Sequence, residues 1–146
     1  MLTFQKINSE KDFTAVSRIQ FVDFLHLHLD KFGDAPQAIQ KCIDYAFSTE
    51  SGKGGFCMIA YLNNEMVGCL IMNHTGMEEF IPQNILVYVA VDASHRGKGI
   101  GRQLIDHSVA ECEGNIALHV EYDNPAKKLY ERLGFTSKYA EMRLNR

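Results

Sequence analysis

Gly97, Gly99 and Gly101 stand at alternate positions between an apolar run, residues 85–91, and a segment whose Leu104, Ile105 and Val109 recur at helical spacing. A glycine within a helix costs about 0.5–1 kcal/mol relative to alanine, so three across a strand-to-helix junction need a reason beyond folding. The first four N–H groups of a helix lack partners within it, and the helix dipole places about half a positive charge at that end. Residues without Cβ let an anion approach those amides, and Arg96, Lys98 and Arg102 add positive charge around the same turn. The junction reads as a phosphate-binding turn, against the alternative of a flexible loop with no ligand. It is not a P-loop, because G-x-x-x-x-G-K-[ST] is absent. Nor is it the dinucleotide fingerprint, since Arg102 stands where G-x-G-x-x-G has its third glycine.

The remaining segments supply a sheet for this junction. Residues 2–7 read as a first strand, and Ser9 as the N-cap of a helix that carries Phe13, Val16 and Ile19 and runs on to a stop at Gly33. Asp34 is placed to cap a second helix, residues 35–47, with Pro36 in its first turn. Residues 56–62 and 66–73 are apolar runs joined by Asn63-Asn64-Glu65, a hairpin signal. Residues 85–91, β-branched and without polar alternation, suit a strand covered on both faces. After the glycine segment come a helix to about Glu113, a strand over 116–120, a helix over 125–133 stopped by Gly134, and a last strand over 135–144. This order predicts an α/β (α+β) domain, a sheet with helices on both faces.

The chain has 146 residues, 46% of them apolar, enough for one continuous core, and no linker divides it; residues 1–146 are expected to form a single domain. Net charge is −3 with the signs mixed along the chain, which argues against nucleic acid or an anionic membrane surface as partner. No signal peptide or apolar window of eighteen residues is present, so the expectation is a soluble, cytoplasmic protein. The widely spaced Cys42, Cys57, Cys69 and Cys112 read as buried, reduced thiols. His26, His28 and Asp30 lie two apart on a helix, where side chains do not face each other, so no metal site is expected.

The stretch VAVDASHRGKGIG resembles the acetyl-CoA-binding motif of the GNAT superfamily of N-acetyltransferases, R/Q-x-x-G-x-G/A after the fourth strand, met here by Arg96, Gly97, Lys98, Gly99, Ile100 and Gly101. A second block, HVEYDNPAKKLYERLGF, resembles the same family's fifth strand and following helix. The two blocks stand in the family's order, and the likeness is strongest over residues 89–135. The resemblance implies a central mixed, mostly antiparallel sheet with about four helices on its two faces, splayed between strands 4 and 5. It implies acetyl-CoA as cosubstrate, with no metal. Its pyrophosphate would rest on the amides of residues 96–101, with Arg102 at the next helical position. The pantetheine arm would meet main-chain groups of Val89 and Val91, with Asn124 approaching the same gap.

Acetyl transfer from a thioester to an amine needs a neutral amine, a stabilised oxyanion and a proton for the departing thiolate. By resemblance, Tyr130 is the proton donor and the Val89 amide an oxyanion donor. The glutamate that many relatives carry on the fourth strand is replaced here by Ile85. His119, where others have Leu-Glu-Val on the fifth strand, is one candidate base, since an ordinary imidazole titrates near 6.5. Glu78 or Glu79 acting through water, and no dedicated base at all, are the others. The expected reaction is direct attack of a primary amine on acetyl-CoA in a ternary complex. The alternatives are a catalytically inactive CoA-binding sensor and a nucleotide-phosphate protein of unrelated fold. Small-molecule and peptide amines are both open as acceptors, with Asp23, His26, Asp30 and the FGDAP turn as wall residues, and family habit implies a homodimer.

Overall fold

A computed structural model describes residues 1–146. Five strands, β1 (Leu2–Ile7), β2 (Gly55–Leu62), β3 (Glu65–His74), β4 (Asn84–Val91) and β5 (Ile116–Ala117), form one sheet in the order β1-β2-β3-β4-β5. The first three pairings are antiparallel and the last, β4 with β5, is parallel. Helices α1 (Arg18–Leu29) and α2 (Pro36–Ala46) cover one face; α3 (Ile100–Val109) and α4 (Ala126–Arg132) cover the other.

Each face has its own core. Phe21, Leu25, Ile39 and Ile43 pack on Cys57, Ile59 and Ile71 on the first, and Leu104, Ile105 and Tyr130 on Met58, Leu70 and Leu86 on the second. Each fully buried aliphatic side chain here contributes about 1.5–3 kcal/mol. Residues 85–91 lack polar alternation because both faces of β4 are covered. β4 also carries a bulge: Tyr88 lies opposite Ile71 and Leu86 opposite Met72, leaving Val87 without a partner. Val87 and Tyr88 therefore both pack toward α1 and α2, while Leu86 and Val89 pack toward α3.

The first helix departs from the sequence expectation. Ser9 opens only a 3-10 turn, Glu10–Asp12, and α1 begins nine residues later. Ser17 and Gln20 form a reciprocal capping box there, the Ser17 hydroxyl accepting from the Gln20 amide at 3.1 Å and the Gln20 side chain accepting from the Ser17 amide at 2.8 Å. Phe13 lies between, edge-on to Phe21, and anchors the connection. The far end of α1 passes through a second 3-10 turn, Asp30–Phe32, before Gly33. Asp34 does not cap α2; Ala35 holds the N-cap position and Pro36 follows it. The strand expected over 116–120 pairs only at Ile116 and Ala117, because β5 leaves β4 there. Residues 135–144 form no strand: with β5 ended, no ladder remains for them to join, and 136–146 are exposed.

Candidate active site

The glycine segment leaves β4 at Asp92, whose carboxylate accepts from both the amide and the hydroxyl of Ser94, at 2.8 and 2.7 Å. Those bonds hold the Asp92 carboxyl below its ordinary range. Gly97 and Gly99 have φ of 79° and 77°, the left-handed region that disfavours a side chain, and a Cβ on either would meet nothing within 4 Å. Gly99 is the N-cap of α3 and gives no side-chain cap. Gly101 differs: it lies within the helix, and a Cβ there would make ordinary contact with Leu129 and Val91. No amide over residues 97–102 donates a hydrogen bond within the protein. These unpartnered donors at the positive end of α3 suit a pyrophosphate.

The basic residues divide. Lys98 is exposed, and Arg102 is exposed with its guanidinium 3.9 Å from Asp106 one turn on. Arg96 turns away from the amides: its Nη2 donates to the His28 carbonyl at 2.6 Å and its Nε to the Val91 carbonyl at 3.2 Å. Arg96 can face an anion through its main chain, while its side chain fastens the turn.

Beyond the Ile85–Ala117 pairing no strand follows β4 on the β5 side, so the main chain at Val89 and Val91 has no strand partner there. Asn124 accepts from the Ala126 amide at 2.9 Å and so shapes the start of α4. Tyr130 on α4 is buried, edge-on to Phe135 with centroids 6.0 Å apart, and its hydroxyl has no partner within the protein. Burial raises the phenol to about 12, so it stays protonated at neutral pH. Its chemistry is correspondingly limited. Full proton transfer from such a phenol to a thiolate of ordinary pKa near 8.5 costs roughly 5 kcal/mol, whereas a hydrogen bond to that thiolate does not require it.

His119 alternates outward between Leu118 and Val120, which pack on the core. Its side chain is 64% exposed and lies 4.0 Å from Glu141. Glu78 and Glu79 lie in the exposed connection between β3 and β4. On the other face, the Tyr88 hydroxyl donates to the Asp34 carboxylate at 2.5 Å, and His26 Nδ1 lies 3.3 Å from the Asp34 carbonyl. Asp23 faces a different groove, shared with Asn64 and Glu65 of the β2–β3 turn. Asp30 ends α1 with a φ of 51°. Sequence reasoning missed Tyr88, although one hydroxyl-bearing residue in an otherwise aliphatic strand is a readable signal. It also missed the part His28 plays beside the glycine turn, which depends on a contact 65 residues away in the chain.

A family model described as an acetyltransferase (GNAT) domain matches residues 53–137. N-alpha-acetyltransferase 40 of Saccharomyces cerevisiae is 31% identical over 109 residues, covering 59% of this chain and 38% of that protein. Streptothricin acetyltransferase of Escherichia coli is 29% identical over 98 residues, 64% of this chain and 54% of the other. The chain thus spans well under two thirds of the length of these relatives. A solved aminoglycoside N-acetyltransferase in complex with CoA shares the fold, with a TM-score of 0.72 over 100% of this chain and 95% of that one at 15% identity. With the family's domain running from β2 through α4, and its glycine turn and splayed strands in place, this chain belongs to the GNAT acetyltransferase family.

Proposed function

We propose that the protein transfers an acetyl group from acetyl-CoA to a primary amine by direct attack within a ternary complex. The observation that carries this reading is one constellation: unpartnered amides over residues 97–102, a β4 edge left without a strand partner at Val89 and Val91, and a buried tyrosine with a free hydroxyl. Acetyl-CoA supplies the activated acyl group. Residues 96–102 would hold its pyrophosphate, and Val89, Val91 and Asn124 would border its pantetheine arm. As the amine nitrogen bonds to the acyl carbon and the carbon–sulfur bond breaks, the Val89 amide would face the developing oxyanion. Tyr130 would donate a hydrogen bond to the leaving thiolate. His119 would take the proton lost by the amine, directly or through water, its exposure allowing return of that proton to solvent.

The acceptor would enter past the turn between α1 and α2, where the Asp34 carboxylate, held by Tyr88, suits a cationic amine. A cationic amine is a chemistry that peptide and small-molecule acceptors share, and the similar proteins are named as an N-alpha-acetyltransferase, a streptothricin acetyltransferase and an aminoglycoside N-acetyltransferase. We place the protein in the cytoplasm, where four free cysteines stay reduced. No helix is long and apolar enough to cross a membrane. A homodimer would cover Tyr139, Met142 and Leu144, all more than 80% exposed in the single chain.

The test is thiol release from acetyl-CoA against a panel of amines. Tyr130→Phe is expected to lower kcat about 10²-fold while leaving acetyl-CoA affinity within about twofold. His119→Ala is expected to remove one limb of the pH–rate profile; an unchanged profile would leave water as the base. Binding of acetyl-CoA without release to any amine would favour the inactive sensor instead.

A further inference from the structure

The hydrogen bonds between the last turn of α1 and the segment between β4 and α3 all go to one residue, His28. The Ala93 amide donates to His28 Nδ1 at 3.2 Å, which requires that nitrogen to be unprotonated and leaves the proton on Nε2. Nε2 lies 3.7 Å from the Asp92 carboxylate. From the other side, Arg96 donates to the His28 carbonyl and, through its Nε, to the Val91 carbonyl. The His28 side chain is only 13% exposed, and its ring lies against Phe24 with centroids 4.4 Å apart. The Asp92 amide donates to the Val67 carbonyl at 2.8 Å, so the segment is tied to β3 as well. Residues 92–96 are thus fixed to two neighbouring elements just before the chain turns at Gly97 into a stretch whose amides donate to nothing within the protein.

We propose that His28 is a positioning residue for the glycine turn: by accepting from Ala93 it holds residues 92–96 so that the free amides of 97–102 share one orientation toward a bound pyrophosphate. The proposal rests on reading that turn as the acetyl-CoA site. Without this anchor, the turn samples orientations in which only some of the amides converge, and binding is weakened by the fraction of time they do. Because α1 leads through the Asp30–Phe32 turn to Asp34, the same anchor ties the cosubstrate side of the protein to the acceptor side.

His28→Ala removes the acceptor for the Ala93 amide. His28→Asn keeps one, since an asparagine side-chain oxygen can occupy the place of Nδ1 but has nothing to reach Asp92. Acetyl-CoA titrated calorimetrically into the whole protein, well below the unfolding midpoint of each variant, is expected to bind His28→Ala about fivefold to tenfold more weakly than wild type. His28→Asn is expected within about twofold of wild type. Under saturating acetyl-CoA the kcat of His28→Ala is expected to recover, so the loss resides in KM for that substrate. Equal affinity of His28→Ala and wild type overturns the proposal. So does a His28→Asn variant as weak as His28→Ala, which would mark a packing role for the imidazole. Failure of wild type itself to bind acetyl-CoA would instead overturn the reading of the turn, and the anchor with it.

Discussion

Gly97, Gly99 and Gly101 are interchangeable on the page of a sequence, and the backbone separates them. Gly99 has a φ of 77° at the N-cap of α3, where a Cβ would project into open space beside the free amides. Gly101 is an ordinary helical residue with room for a methyl group. Gly99→Ala is therefore expected to cost about 1 kcal/mol in stability from left-handed strain. It should also weaken acetyl-CoA binding more than tenfold, because the added carbon would crowd the amides proposed to hold the pyrophosphate. Gly101→Ala is expected to keep affinity within about threefold and to gain slightly in helix propensity. Calorimetry and thermal unfolding of the two variants read both effects. The basic residues teach the same lesson. Arg96, Lys98 and Arg102 read alike as positive charge, yet the Arg96 side chain is bonded to the carbonyls of His28 and Val91, partners no local pattern announces.

Elements whose signals are local were the legible ones. The β2–β3 hairpin follows from Asn63-Asn64, which take φ of 52° and 67°, as a two-residue turn with both central residues left-handed demands. Glycine adopts the second of these positions with less strain than asparagine, and Asn63 accepts a bond from the chain's amino terminus, so Asn64 is the position to change. Asn64→Gly is expected to raise the unfolding midpoint by about 1–2 °C, measured by calorimetric scanning, with acetyl-CoA affinity unaltered. The start of α1 was misread because two serines compete for it. Both have an acceptor three residues later, and Asp12 takes the Ser9 amide at 3.2 Å, but only at Ser17 does the serine hydroxyl accept in return, which closes the box with Gln20. The end of β5 was not readable: residues 118–120 keep an in-and-out alternation, with Leu118 and Val120 packed inward, yet the ladder stops at Ala117. Splaying is a property of two strands and the helices on them, and a single strand's pattern does not contain it.

At the scale of the whole molecule, a sheet with two covered faces buries groups that ionise poorly there. All four cysteines are free, and Cys57 and Cys69 are wholly inaccessible in the core beneath α1 and α2. Burial raises the Cys42 thiol to about 12 and pushes Cys57 and Cys69 up as well. In the unfolded chain these thiols lose their protons near pH 8.5–9, while in the folded chain they retain them. The native state then binds more protons than the unfolded state, so stability falls as pH rises beyond that range. Each such thiol contributes a slope of up to about 1.4 kcal/mol per pH unit until its folded value is reached. Tyr130 and Tyr88, also raised by burial, add to the slope only above pH 10, the ordinary phenol value. Urea unfolding between pH 8 and 10, with reductant present, is expected to show a steadily falling midpoint. Cys42→Ala should make that fall shallower, whatever it costs in packing at pH 7. A midpoint unchanged across the range would mean that water reaches these thiols in the folded state. In that case Cys57 and Cys69 would also react with a thiol reagent without unfolding, an outcome the continuous packing of α1 and α2 over β2 and β3 argues against.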